Sequence, residues 1–268
     1  MADGFATPRV GAGFARHRMG DGWPTATALV LGAGLWEGLG RLHLTPLIPP
    51  VTGVLSALGR MVATGELQKN LSLSLLSLAL GYGAAAVVGV VLGVAMGYDR
   101  RVEALFDMYV NAFLAAPSAA FVPLMVVFFG LGQGPVAATV FIFSCFVIVV
   151  NTCTGVKQVD RSVLEMARAF CAGRRLVFWR ILLPGALPMI MAGLRLGAGR
   201  AVKGLVVGEA LISLVGLGGA LQLYGGAFQV ESVYALVLVL VAISLGATAA
   251  IKLVERRLSS WPAGRERL

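Results

Sequence analysis

Charge is what this sequence has least of. Asp, Glu, Lys and Arg make up 13% of its 268 residues and hydrophobic residues 58%, against about 25% and roughly 45–50% in soluble domains. That balance excludes an ordinary water-soluble fold. Histidine is nearly missing too: His17 and His43 are the only two. Neither an HExxH helix nor a GxSxG elbow exists, which removes the zinc hydrolases and the serine hydrolases built on them. A GxxxxGK[ST] loop is also lacking, so the chain has no phosphate cradle of that kind. The three cysteines, Cys145, Cys153 and Cys171, have no metal-ligand spacing and imply no disulfide framework. No catalytic residue and no metal ligand is expected. Residues 1–23 lack the apolar core of 7–15 residues that marks a signal peptide and read as a tail.

What is present is long apolar runs. Six crossings are expected, at 24–42, 71–97, 104–130, 135–156, 185–213 and 232–254, each with the 17 to 25 mostly apolar residues that a bilayer requires. The first is interrupted by Glu37 and Arg41, whose i,i+4 spacing suits an ion pair. Pro117 and Pro123 lie inside the third and predict an irregular helix, since each lacks a backbone donor. Between the first two crossings, Val51, Val54, Leu55, Leu58 and Val62 recur with helical spacing after Pro50, which predicts a short helix on the outer side. The 35 glycines suit close helix packing in lipid.

The net charge of +9 follows from topology rather than from nucleic-acid binding, because the cations gather in alternate loops. Sixteen of the 22 Lys and Arg fall in the 1–23 tail, the 98–103 and 157–184 loops and the end from Lys252. Only Arg41, Arg60 and Lys69 fall on the other side, and Arg195, Arg200 and Lys203 lie within the fifth crossing. The positive-inside rule then puts both termini and the 157–184 loop in the cytoplasm. The expected domains are a cytoplasmic tail over 1–23, a transmembrane body over 24–260 and a second tail over 261–268.

The stretch Glu165–Pro184, EMARAFCAGRRLVFWRILLP, is the one long polar, basic interval between crossings. Asp160 or Ser162 can cap a helix there, and Glu165 in its first turn favours the helix dipole. Ala167 and Ala169 keep that helix slim, while Arg168, Arg174 and Arg175 ring it with charge. Pro184 and Pro188 mark the start of the next membrane helix.

This spacing resembles the EAA loop of bacterial ABC importer permeases, which in that family docks the ATPase subunit. The resemblance runs over about 36–261 and is strongest to the nitrate/sulfonate/taurine branch. It is carried by Trp36-Glu37, Ile48-Pro49-Pro50, Gly65-Glu66-Leu67, and Pro117 and Pro123 closing on Phe129, Gly130 and Gly132. Gly155-Val156, Val159-Asp160, Gly193-Leu194-Arg195 and Gly208-Glu209 complete it. The chain departs where the loop's central glycine is usual, six residues after the glutamate: Cys171 stands there, with Gly173 two places on. A cysteine forced to positive φ is strained by about 1–2 kcal/mol, so either Gly173 takes the turn or the backbone does without it.

The resemblance implies an all-α integral membrane protein with the fold of type I importer permeases, in the bacterial inner membrane. It would act as the solute pathway of an ATP-driven importer and not as an enzyme. ATP-Mg would be held by cytoplasmic ATP-binding subunits, with no cofactor in this chain. A solute-binding protein outside, a second permease copy forming a homodimer, and membrane lipid complete the expected partners. Glu165, Ala167, Arg168, Cys171, Gly173 and Arg174 become the candidate ATPase-coupling residues. In the fifth crossing Arg200, Lys203 and Glu209 are candidate pathway residues, since ionisable groups in a membrane are paired or line a cavity. Arg200 and Lys203 share one face; Glu209 needs a partner on another helix or another copy. A cationic lining would favour anionic solutes, and a structural ion-pair network is the competing reading. The rival function is an ion-gradient transporter, which calls for inverted repeats with matching broken helices; the sequence has no such pairing.

Overall fold

The computed structural model describes residues 22–42, 47–213 and 215–258; the expectations placed on residues 1–21 and 259–268, and on His43, lie outside it. Residues up to Thr52 form one unit and those from Gly53 another. In the first, α1 (Gly22–Arg41) is 20 residues long, about 30 Å. Its Trp36 Nε1 donates to the Pro49 carbonyl at 3.0 Å. Glu37 accepts from Arg41 Nε at 2.7 Å, as the i,i+4 spacing predicts, and from the backbone N–H and hydroxyl of Thr52 at 3.1 and 3.0 Å. The Trp-Glu pair therefore fixes the turn into α2 (Val51–Ala63). The chains touch so closely there that a Cβ on Gly40 would lie 2.6 Å from Pro50 Cα.

The second unit is built around three long helices, α3 (Glu66–Tyr98), α6 (Gln133–Lys157) and α9 (Leu183–Gly208). No strand occurs among the described residues. On α3 the residues at four-residue intervals, Ser77, Gly81, Ala85, Gly89 and Gly93, are all buried. A Cβ at Gly89 would come within 2.9 Å of Ile148, and one at Gly93 within 2.6 Å of Thr152. On its other side α6 meets a second small-residue stripe, where Gly193, Gly197 and Gly204 of α9 lie against Asn151, Ile148 and Phe143. Lipid supplies no hydrophobic drive between helices, so backbone-close contact of this kind supplies the attraction instead. Ser144 and Thr139 spend their hydroxyls on carbonyls of their own helix.

The six crossings of the sequence reading are corrected in three places. Among the described residues four helices are long and apolar enough to span: α3, α6, the continuous stretch Arg174–Ile212, and α11 (Val230–Leu258). With its Glu37 and Arg41, α1 does not reach that apolarity. The third expected crossing is sharply bent, and its two halves pass as one span only when taken together, making five. Helix α4 (Arg100–Ala115) and the segment Ser118–Phe129, whose α-helical part is α5 (Val122–Phe129), meet at 101°. Pro117 drives Ala116 into the extended region, at φ −71° and ψ 145°, while Pro123 sits harmlessly in the first turn of α5.

The fifth crossing starts earlier than expected, because α8 (Arg174–Val177) runs into α9 through a π turn at Phe178–Leu182. That turn lets Leu183 N–H reach the Phe178 carbonyl, so the missing donor of Pro184 is absorbed without a break. The expected short helix after Pro50 is present as α2. It buries Val54, Ala57 and Met61, and Met61 packs with Leu217, Leu236 and Leu240. It is a packed element rather than one floating on lipid.

Candidate functional site

Helix α7 (Arg161–Ala169) occupies the 157–184 loop. Asp160 is its cap: its Oδ1 accepts from Ser162 N–H at 2.8 Å, which settles the choice between Asp160 and Ser162. The helix ends in a Schellman motif, with Ala172 N–H bonded to the Ala167 carbonyl at 2.9 Å. The residue that takes the left-handed turn is Cys171, at φ 55°. Gly173 is extended, at φ −62° and ψ 148°. Both alternatives left open by the sequence are therefore wrong: the backbone needs positive φ, and the cysteine supplies it.

The faces of α7 also differ from the expectation. Ala167 is buried within its own chain, while Glu165, Met166, Ala169 and Phe170 are exposed. Phe170 at 82% and Met166 at 55% exposure form an i,i+4 apolar pair on the outward side. Neither was singled out by the sequence reading; an aromatic one residue before the turn, four after a methionine, was the available signal. Of the expected coupling residues, Glu165 and Cys171 lie on or beside that outward surface, with Gly173 and Arg174 exposed just beyond it. Arg168 lies in the last turn of α7.

Cysteine at a left-handed position gives a direct test. Cys171→Gly should stabilise the protein by about 1 kcal/mol, and Gly173→Ala should be neutral, because nothing lies within 4 Å of the added Cβ. Thermal unfolding of the detergent-solubilised variants measures both. A destabilised Cys171→Gly would mean that the thiol, not the backbone, matters at this turn.

The structure separates the three charged residues of the fifth crossing. Arg200 and Lys203 lie on an exposed face of α9 together with Leu196. Among the described residues neither has a hydrogen-bond or ion-pair partner. Arg195, which precedes both on α9, pairs with Glu255 of α11 at 3.4 Å. Glu209 is different: it is 2% exposed and starts a π turn, Glu209–Ser213.

The Glu209 carboxylate accepts from the Ser74 hydroxyl at 2.7 Å and from Gly218 N–H at 2.8 Å. The Ser74 oxygen in turn accepts from Leu217 N–H at 2.9 Å. These amides are the first donors of α10 (Gly216–Gly226), a short helix buried from Gly216 to Ala220 that the sequence reading placed in a plain outer loop. The partner of Glu209 is thus another helix, as expected, but it is a helix N-terminus rather than a cation. Two further residues of α3 complete the hold. Asn70 Oδ1 accepts from Gly216 N–H at 3.2 Å, and Glu66 accepts from the Tyr224 hydroxyl at 2.5 Å. Glu66, Asn70 and Ser74, four residues apart, form one polar ladder along which α10 is pinned at both ends. Only glycine suits the junction: Gly216 has φ 84°, and a Cβ on Gly218 would fall 2.8 Å from that of Glu209.

Long glycine-seamed apolar helices, an isolated capped helix in a basic loop and cations on one helix face define a multi-pass membrane transport protein. The chain belongs to the binding-protein-dependent transport system inner membrane components, whose family model matches residues 85–260. Among its relatives is the taurine transport system permease protein of Escherichia coli strain K12, 31% identical over 89% of this chain and 92% of that one. Another is the formylaminopyrimidine transport permease protein of Halalkalibacterium halodurans, 29% identical over 85% and 91%. The fold is that of the MetNI methionine ABC transporter in an inward-facing form, with TM-score 0.57, 19% identity and coverage of 70% of this chain and 92% of that one. An amino acid ABC transporter with histidines gives TM-score 0.58, 16% identity and coverage of 75% and 97%. This protein is therefore a multi-pass inner-membrane permease of an ABC importer, and not itself an enzyme. The ion-gradient rival falls away.

Proposed function

We propose that this permease forms the solute pathway of an ATP-driven importer of small anions and is driven through α7. The observation that supports the coupling role most is the arrangement of that helix. It is capped at both ends, seated on the chain's own body by Ala167, and presents Glu165, Met166 and Phe170 outward. A short rod held this way transmits displacement of a bound ATPase subunit to α6 and α9, which flank it in sequence. ATP-Mg is then bound and hydrolysed in that subunit. Two permease copies form the pathway, a binding protein delivers solute from outside, and both termini face the cytoplasm, in keeping with the distribution of Lys and Arg.

Selectivity for anions rests on Arg200 and Lys203. A cation on the exposed face of a membrane helix is costly unless water, an acidic group or an anionic solute offsets its desolvation. Their exposure and lack of partners among the described residues favour a wet surface facing the second copy. Relatives of similar identity, 31% and 29%, are named for taurine, which bears a sulfonate, and for formylaminopyrimidine, so identity alone does not choose the solute.

The test is Lys203→Met in proteoliposomes holding permease, ATPase subunits and binding protein, with taurine as probe. A charge-assisted contact contributes about 1.5–3 kcal/mol, so uptake should fall by at least about tenfold at limiting solute, with assembly unchanged. If the variant fails to assemble, or transports taurine at the wild-type rate, Lys203 is not an anion contact.

A further inference from the structure

A groove of about 1020 Å³ opens where the ends of α3 and α6 meet α7 and the start of α8. Its charged lining is Asp99, Arg100, Glu103, Lys157, Arg161 and Arg174. The two acids are engaged already. Asp99 caps α4 by accepting from Arg101 N–H at 2.8 Å, and Glu103 is paired with Lys157 across the groove. Arg100, Arg161 and Arg174 remain. Among the described residues none of the three has a side-chain hydrogen bond or an ion pair. Arg100 stands on the α3–α4 side of the groove and Arg161 and Arg174 on the α7–α8 side, and their planar guanidinium forks match phosphate oxygens.

The groove lies at the ends of membrane helices, beside the half-exposed rings of Tyr98 and Trp179, residues that favour the bilayer interface. It also lies on the side of α7 that carries Arg161 and Leu164, away from the outward pair Met166 and Phe170. An occupant of the groove does not compete with a protein docked on the outer face of α7.

The geometry points to a binding site for the headgroup of an acidic phospholipid of the inner leaflet, its phosphate bridging Arg100 on one wall to Arg161 and Arg174 on the other. Such a lipid ties the α7–α8 loop to the α3–α4 junction, so that motion of α7 reaches the membrane helices rather than being lost in the loop. This reassigns Arg174 from the ATPase surface to the lipid groove. The inference rests on the cytoplasmic placement of the 157–184 loop. That placement is tested separately by labelling Cys171, exposed in the structure, with a membrane-impermeant thiol reagent from each side of sealed vesicles.

The experiment uses the whole importer, permease with its ATPase subunits, in nanodiscs of phosphatidylcholine containing a minority of phosphatidylglycerol. Native mass spectrometry should find phosphatidylglycerol retained on the wild type in preference to phosphatidylcholine. Arg100→Gln with Arg161→Gln should lower that retention by roughly tenfold or more, with ATPase stoichiometry unchanged. Arg100→Gln alone, at the exposed start of α4, should lower it partially and guards against misfolding of the double variant. Arg175→Gln, one residue outside the groove, should leave it unchanged. In proteoliposomes that also hold the binding protein, ATP-driven uptake in pure phosphatidylcholine should rise when phosphatidylglycerol is added to the wild type, and not in the double variant. Equal retention by wild type and double variant overturns the proposal. So does displacement of the lipid by millimolar inorganic phosphate, which would mark a site for free anions, or loss of the ATPase from the double variant, which would mark a protein-docking surface.

Discussion

Glu209→Ala is expected to free α10 from the body of the protein and to stop transport while the long helices still insert. Its carboxylate satisfies the Ser74 hydroxyl and the Gly218 amide in a site with almost no access to water. Truncation leaves both buried and unpaired, at about 1–3 kcal/mol each. That is comparable to what the start of α10 gains by packing Leu217 and Ala220 against Met61 and Leu236. A cysteine placed at Leu223, which is exposed, reports local environment; one placed at Leu217, fully buried, reports release. Thiol labelling at position 217 should rise severalfold in the Glu209→Ala background, with little change at 223. Glu209→Gln keeps one acceptor but turns a donor toward Ser74 or Gly218, so it should sit between the two. Ser74→Ala also orphans Leu217 N–H, and because both side chains serve one network the double alanine variant should cost less than the sum. Wild-type labelling at 217 in Glu209→Ala would show that packing and the bonds to Asn70 and Glu66 hold α10 without Glu209.

That network shows what the sequence could and could not convey. Gly208-Glu209 was legible as a marked pair, and the glutamate was correctly denied a partner on its own helix by its six-residue distance from Lys203. Its actual partner was invisible, because an N-terminal amide carries no side-chain signature. The run from Gly216 to Tyr224, short and glycine-rich, reads as loop by local propensity and becomes helical only when Glu66, Asn70 and Ser74 are brought alongside it. The same limit applies to Pro117. The sequence predicts irregularity there, but a kink and a 101° break look alike until neighbours decide where the freed carbonyls go.

Other motifs kept their place and changed their meaning. Trp36 and Glu37 hold the turn before α2, Gly65 and Gly130 take positive φ between helices, and Gly155 and Gly193 allow helices to touch. Arg195 finds Glu255. Much of the family resemblance is thus a record of packing and turns. Glu37 and Arg41 lower the apolarity of α1, as their place in the sequence signals, whereas α3, α6 and α11 were legible from length and hydropathy alone.

The second large effect is expected at the outward face of α7. Ala167 looked in the sequence like a slim residue turned toward a partner, and Ala167→Trp would have been the natural probe of docking. In the folded chain Ala167 is buried at 7% exposure, so tryptophan there overpacks the permease itself and confuses a folding defect with a docking defect. Phe170 and Met166 are the better probes, being 82% and 55% exposed. Seating one such side chain in a partner's groove contributes about 1.5–3 kcal/mol, and central aromatic anchors reach the upper part of that range. Phe170→Asp removes the apolar contact and would bury a charge in its place, so the ATPase subunit should be lost from the purified complex and ATP-driven uptake with it. Phe170→Leu should retain most of both, since size and polarity are nearly kept. Glu165→Lys, on the same face, should weaken association less than Phe170→Asp, because an exposed charge is solvated in either state. None of the three should alter insertion or thermal stability of the isolated permease, which is read by unfolding in detergent. A Phe170→Asp importer that co-purifies at wild-type stoichiometry and transports normally would move the docking surface off this face of α7. The basic segment from Arg175 to Arg180 would then be the next surface to test.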